Sequence, residues 1–318
     1  MAISALRGTG LWTAGVGTSI IGHASRMSVR THRLTGVFVG SHAIASGSIT
    51  VKELRTLGYR RLTHGVYADP MLELDHRLRC RGVALLLPRG AAIGGHSAAA
   101  WHGAPFAGVN DPVTVLRPSN VEWKGPREVR VHRAELRPGD VDVIDDVPVS
   151  SPLRTAWDIA ALEPLGTAVA SLDAMVRTGS VTTDQLTAMA ENGTGRWGVA
   201  KVRRAVPLVD PRAESAPESR VRIALVLAGL DPVPQFEVFA RGHFLARVDF
   251  GWPEQKVALE YEGAYHFDGV QIARDDDRYV RLIAAGWHVI RISAADLRDL
   301  DAVVARVRGA LLAARPRP

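Results

Sequence analysis

Apolar positions along this 318-residue chain recur at helical and at strand periods, and the switches between the two mark its organisation. Residues 37–40 read as a short strand or entry turn, and residues 41–46 as a short helix. Thr50-Val-Lys-Glu53 is a capping-box pattern, so a helix is expected over residues 51–57, stopped by Gly58. Arg60, Arg61 and Leu62 then lead into Gly65-Val-Tyr67, a strand-like wing closed by Asp69-Pro70. Residues 76–104 read as two helical pieces broken at Pro88-Arg89-Gly90. Short strands follow at residues 113–116, 129–132 and 147–149. Helices are expected from Pro152 onward, over residues 168–177 and over residues 183–191.

Asp210-Pro-Arg-Ala-Glu-Ser-Ala-Pro217 interrupts the periodicity with two prolines and polar residues, and reads as a linker. A tight α/β pattern comes after it. It consists of a helix over 218–228 ended by Gly229, a strand over 234–239, and strands over 244–250 and 256–262 turning at Trp252-Pro-Glu-Gln255. A helix over 270–285 ended by Gly286, a buried strand over 287–292 and a last helix over 295–313 complete it. The expected organisation is therefore a tail over 1–34, either disordered or an over-long start, since Met27 stands just ahead of the first structured pattern. A truncated winged-helix-like segment (35–75), an α+β region (76–209), the linker (210–217) and an α/β unit (218–318) follow.

Composition narrows the function only a little. A hydrophobic content of 47% is ample for a core, and a net charge of +6 favours an anionic partner weakly. The excess lies in the front of the chain, because residues 212–318 hold Lys/Arg and Asp/Glu in equal numbers. A single cysteine, Cys80, makes neither an intramolecular disulfide nor a cysteine-based zinc site, and fits a reducing, cytoplasmic setting. No run of eighteen apolar residues is present, so no membrane span is expected. Arg7 with residues 11–22 is too rich in Gly and Thr, and lacks the cleavage site, to be read as a signal peptide. No P-loop, dinucleotide fingerprint, H-E-x-x-H or G-x-S-x-G pattern occurs.

The candidate chemistry lies in the last third. Side chains alternate along a strand, so Glu260 and Glu262 share a face with Ala258, opposite Val257, Leu259 and Tyr261. On the preceding strand Val248 and Phe250 are expected to face the core and Arg247 and Asp249 away from it. The hairpin then brings Asp249 beside the two glutamates, with Glu218 reaching in from the helix before. Carboxylates crowded in this way repel, and a divalent cation relieves them; Mg²⁺ takes one or two, leaving positions for water and phosphate. The same acids can equally be a solvated strand face. Gly263 permits a turn that swings His266 back as general acid, base or phosphate contact, and Gln271, Arg274 and Arg278 can reach phosphate from the next helix or pair with Asp275, Asp276 and Asp277.

Glu218, then Asp249, then Glu260-x-Glu262-Gly-x-x-His266, Arg274-Asp, Asp277-Arg278 and Gly286-Trp-His-Val-Ile-Arg291 resemble the Vsr-like (very-short-patch-repair-like) branch of the PD-(D/E)XK nuclease superfamily. The resemblance implies a restriction-endonuclease-like mixed sheet between helices and hydrolysis of DNA phosphodiesters with Mg²⁺ or Mn²⁺. In it Asp249 and Glu260 match the metal-binding acids and Glu218 the helix acid. Glu262 stands where the superfamily motif has Lys and this branch usually Asp, so water activation falls to the metal, Glu262 or His266. Gly47–Arg55 with Arg60–Tyr67 is similar to the winged-helix start of AbiEi-type antitoxins, and Ser97–Gly103 with Pro152–Asp158 to their following domain. Only Gly58 and Tyr59 separate the Thr50 helix from the wing, so a recognition helix is expected to be missing. Arg60 and Arg61 are candidate backbone-phosphate contacts. The alternatives to a DNA endonuclease are a non-catalytic DNA-binding regulator or antitoxin that keeps the nuclease fold as a scaffold, and a protein-interaction module, with the front half as the partner-binding part.

Overall fold

The computed structural model describes residues 34–104, 106–263 and 278–314. At the front, strand β1 (Val37–Val39) is followed by two six-residue helices, α1 (Gly40–Ala45) and α2 (Val51–Thr56), and by the hairpin β2 (Arg60–Thr63) and β3 (Val66–Ala68). Thr50 caps α2 as its spacing predicts: its hydroxyl accepts from the Glu53 amide at 3.1 Å, and the Glu53 carboxylate accepts from the Thr50 amide at 2.9 Å. Arg60 and Arg61, expected to lead into the wing, form its first strand, and β3 lies between β1 and β2. At about 1.5 Å per residue each helix is only about 9 Å long.

The second sheet is mixed, in the order β6-β5-β4-β8-β7: β4 (Ala92–Ile93), β5 (Val113–Pro118), β6 (Val129–Ala134), β7 (Val141–Ile144) and β8 (Val147–Ser150). Helix α3 (His76–Ala84) ends before the Pro88–Gly90 break, as read from the sequence. Beyond the break the expected second helix is corrected. Ala92 and Ile93 form the central strand, antiparallel to β5 and parallel to β8, and only α4 (Gly95–Ala99) is helical. Tertiary pairing overrides the helix preference of alanine here, and Gly94 permits it: a Cβ there would fall 2.4 Å from Leu116 Cγ. Strand β7 was not read from the pattern. It is an edge strand of mixed polarity joined to β8 by Asp145 and Asp146, both at positive φ (52° and 62°), a two-residue hairpin turn.

Helices α5 (Pro152–Leu162), α6 (Leu165–Arg177), α7 (Thr183–Glu191) and α8 (Val199–Ala205) form a bundle around Trp157, Ile159, Leu172, Met175 and Leu186. Helix α8 was absent from the sequence reading. Residues 210–217 connect the bundle to α9 (Ala216–Leu227), which starts inside the expected linker, capped by Ser215. The connection is tied down. The Asp210 amide donates to Asp173 at 2.7 Å, and Arg177 to the Ala213 carbonyl at 2.5 Å. Ile223 of α9 is buried in the bundle core, and Arg222 pairs with Asp173 of α6 at 2.9 Å, both side chains nearly devoid of solvent contact.

The third sheet, also mixed, carries the candidate site. Its order is β12-β11-β10-β9: β9 (Val233–Ala240), β10 (His243–Trp252), β11 (Val257–Glu262) and β12 (His288–Ser293), with β11 and β12 parallel. Helices α9 and α11 (Leu300–Ala313) cover one face through Val221, Leu225, Phe250, Leu259, Ile292 and Val307. The helical segment α10, described over residues 278–284, covers the other, where Leu282 packs with Val238, Val248, Ala258 and Trp287. The expected single helix over 295–313 is split into a 3₁₀ turn (Asp296–Arg298) and α11, because Asp299 leaves the helix and caps α11 by accepting from the Ala302 amide. The chain is thus mixed α/β, with mixed sheets flanked by helices. Among the described residues no helix is long and apolar enough to cross a membrane.

Candidate active site

Strand β11 follows the alternation expected of it. Val257 and Leu259 enter the α9/α11 core, while Ala258 and Glu260 face α10. Strand β10 does not, and the expectation for it is corrected. Val248 lies in the α10-side core and Phe250 in the α9/α11-side core, so the alternation breaks at Asp249 between them. The register shows why. The β10–β11 ladder runs from Trp252↔Val257 to Phe250↔Leu259 and stops there. Past that point the Tyr261 amide donates to the Asp249 carboxylate at 2.7 Å. Asp249 therefore occupies a fork between two parting strands, its side chain standing in for a ladder acceptor.

Two further acids approach this fork from opposite sides of the sheet. Glu218, buried in the first turn of α9, accepts from the Glu214 amide at 2.9 Å and from the Ser215 hydroxyl at 2.7 Å. Its Oε2 also accepts from Gln235 Nε2 at 2.9 Å, and the same nitrogen lies 3.5 Å from Asp249 Oδ1. Gln235 has positive φ (50°), an uncommon conformation for a non-glycine strand residue. From the other side comes Glu260, also buried. Burial pushes the Asp249 carboxyl up to about 6; the Tyr261 amide opposes the shift, and the charges of Glu218 and Glu260 add to it.

Glu260 is held from α10. Its Oε2 accepts from Arg278 at 2.7 Å and from the Tyr279 hydroxyl at 2.6 Å. Burial first, then the Glu260 hydrogen bond, pushes the Tyr279 phenol well above its ordinary value, so the hydroxyl keeps its proton and donates. Glu262 is more exposed; it pairs with Arg291 of β12 and lies 3.4 Å from the Tyr279 hydroxyl. The Arg291 guanidinium sits 4.6 Å from the centre of the Tyr279 ring.

The sequence-derived residues therefore divide. Glu218, Asp249 and Glu260 are brought together, and Glu262 stands beside them. Arg278, expected as a candidate phosphate contact, donates to Glu260. Arg60 donates to the Leu72 and Pro70 carbonyls, and Arg61 to the Thr63 carbonyl and the His64 ring, all within the front segment. His266, Gln271 and Arg274 lie outside the described residues. Gln235 and Tyr279 escaped the sequence reading. Gln235 carried one weak signal, a polar residue beside Glu237 in a largely apolar strand; Tyr279 carried none.

Among the described residues no group of three or more His, Cys, Asp or Glu side chains is placed to hold a metal ion. Two hard-oxygen donors meet the smaller demand of Mg²⁺, which takes one or two carboxylates and fills its other positions with water and phosphate. Asp249 and Glu260 supply two such donors; burial first, then the charges of Glu218 and Glu260, raises the proton affinity of Asp249, so a cation beside it would stabilise its ionised form.

The chain matches no family model and no solved structure. Two proteins from two strains of Mycobacterium tuberculosis, each named only as an uncharacterized protein, are 29% identical to it over 250 residues, 77% of this chain and 89% of the relative. A match of that length extends well beyond the carboxylate-bearing unit, so what this chain shares with them includes more than the last sheet.

Proposed function

We propose that the last third of the chain is a metal-dependent endonuclease unit of the Vsr-like, PD-(D/E)XK kind, acting on DNA with Mg²⁺ or Mn²⁺. The observation that carries the reading is the fork at Asp249: a part-buried carboxyl with its proton affinity raised, placed where two central strands separate, with Glu218 and Glu260 beside it. The mixed sheet between α9/α11 and α10 is compatible with a restriction-endonuclease-like arrangement. Asp249 and Glu260 would hold the cation. Glu218 fixes the Gln235 amide, which orients Asp249. Arg278 and Tyr279 donate to Glu260 Oε2, contacts that a cation would have to share or displace. Glu262, half-buried and beside them, takes up the proton of the attacking water, with His266 as the other candidate. A bound divalent cation would supply charge stabilisation at the phosphate and a more acidic water. The front half would contribute basic surface or a protein partner.

One observation favours the second reading, a non-catalytic DNA-binding regulator on a nuclease scaffold. Glu260 is already engaged by an arginine and a phenol, and Glu262, in the position of the motif lysine, is paired with Arg291. Cleavage of supercoiled, linear and mismatched DNA with Mg²⁺, Mn²⁺ or EDTA separates the two. The expected result is metal-dependent cutting by the wild type and none by the Asp249→Ala, Glu260→Ala double variant. A folded wild-type protein that cuts none of these substrates with Mn²⁺, yet binds duplex DNA, overturns the nuclease reading and supports the scaffold.

A further inference from the structure

A cavity of about 230 Å³ lies between the end of β6, helix α5 and the loop before α8, and none of Glu218, Asp249 and Glu260 lines it. Its walls include His132, Arg137, Arg154, Trp157, Arg196 and Trp197. The loop that closes it, Asn192-Gly-Thr-Gly-Arg-Trp-Gly198, is pressed onto α5 at both ends. A Cβ at Gly193 would fall 2.5 Å from Trp157 Cη2, and one at Gly198 2.5 Å from the Ala161 Cβ. Arg203 of α8 fastens the loop from behind, donating to the Ala190 and Glu191 carbonyls and the Thr194 hydroxyl. The glycines therefore fix the loop in a position that presents Arg196 and Trp197 to the cavity.

The charges there are unequally satisfied. Arg154 is buried and saturated on one edge: Nε donates to both oxygens of Asp158, and Nη1 to Asp140 at 2.7 Å and to the Glu135 carbonyl at 2.6 Å. Arg137 pairs with Glu135 at 3.4 Å. Arg196 has no carboxylate in ion-pair contact among the described residues; its guanidinium lies instead 3.8 Å from the centre of the Trp157 ring. Burial first, then the neighbouring Arg154, pushes the Arg196 pKa down, with Asp140 and Asp158 opposing the shift. His132 adds a buried Nε2 with no hydrogen-bond partner. Burial, reinforced by Arg130, pushes its pKa down, so at neutral pH the ring is uncharged. Trp197 is 69% exposed at the mouth, a large apolar surface left in water beside a cationic pocket.

We propose that this cavity binds a small planar organic anion, a carboxylate or phosphate carried on a single ring system. The anionic group meets the guanidinium edge of Arg196 and the side of Arg154 not turned to Asp158, while the ring packs against Trp197 at the mouth. The volume, below the roughly 300 Å³ at which pockets for drug-sized ligands begin, suits one ring with its anionic substituent.

The test uses the full-length protein, calorimetry and tryptophan fluorescence, with benzoate, phenyl phosphate, orthophosphate and the neutral benzamide as probes. Benzoate or phenyl phosphate is expected to bind saturably, on the order of tenfold more tightly than orthophosphate or benzamide, and which of the two wins identifies the anionic group. Arg196→Gln should weaken that binding about tenfold, the share of one charge-assisted contact. Trp197→Ala, at an exposed position that leaves the fold intact, should weaken it severalfold and decides the matter if Arg196→Gln does not fold. No saturable binding by either ring-bearing anion, benzamide binding as well as benzoate, or full binding by the folded variants overturns the proposal.

Discussion

Replacing Asp249 by Asn removes one charge while keeping the acceptor that the Tyr261 amide uses. The structure predicts that this loss of a candidate metal ligand stabilises the metal-free protein. A carboxyl held at about 6 instead of 3.8 is, when ionised, a liability to the fold. At about 1.36 kcal/mol for each tenfold change in proton affinity the penalty approaches roughly 3 kcal/mol, and about 2 kcal/mol after allowance for its partial exposure. The sign follows from linkage. Because the folded pKa lies above the unfolded one, the native state binds the proton more tightly, and that advantage is complete below 3.8 and lost as pH rises through about 6. Urea unfolding in EDTA should therefore find the two proteins of similar stability at about pH 4 and the Asn variant ahead by about 2 kcal/mol at about pH 8. Mg²⁺ should then stabilise the wild type and not the variant. A variant less stable than the wild type at the higher pH, or a difference constant across the range, would refute the claim that burial strains this carboxylate.

Two other perturbations test the surroundings. Arg222→Met strands Asp173 in the bundle core and should destabilise by about 3–5 kcal/mol in urea unfolding, whereas adding Asp173→Leu should recover most of the loss; a single variant near wild-type stability would mean that water reaches the pair. Tyr279→Phe removes the hydroxyl that occupies Glu260 Oε2, and on the nuclease reading should lower severalfold the Mg²⁺ concentration that half-saturates a thermal shift. An unchanged or higher midpoint would show that the phenol does not compete with a cation there.

Much of the architecture was legible because local chemistry and tertiary structure agree. The Thr50–Glu53 capping box, the turn between β10 and β11 and the alternation of β11 are decided within a few residues. What escaped depends on partners distant in sequence. Ala92 and Ile93 sit in an alanine-rich stretch and become a strand only because β5 and β8 lie on either side. The break at Asp249 follows from β10 and β11 parting, which no spacing within β10 records. Strand alternation placed Glu260, whereas adding Asp249 rested on an alternation that breaks in β10, and adding Glu218 on its place in the first turn of a neighbouring helix. The groups that set their charge, Gln235, Arg278 and Tyr279, reach them from other elements, so the pattern gave the donors and not their partners.

The seam between α6 and α9 has a practical consequence for dissecting the chain. A fragment beginning at Ala216 would expose Ile223 and leave Arg222 without its acid; one ending at Val209 would open an apolar trough and abandon Asp173 inside it. Neither piece would report on the intact protein, so a silent excised α/β unit would say nothing about the parent. Conversely, a tilt of the last sheet that carries α9 with it strains α6 as well, which makes the bundle a strut rather than a hinge.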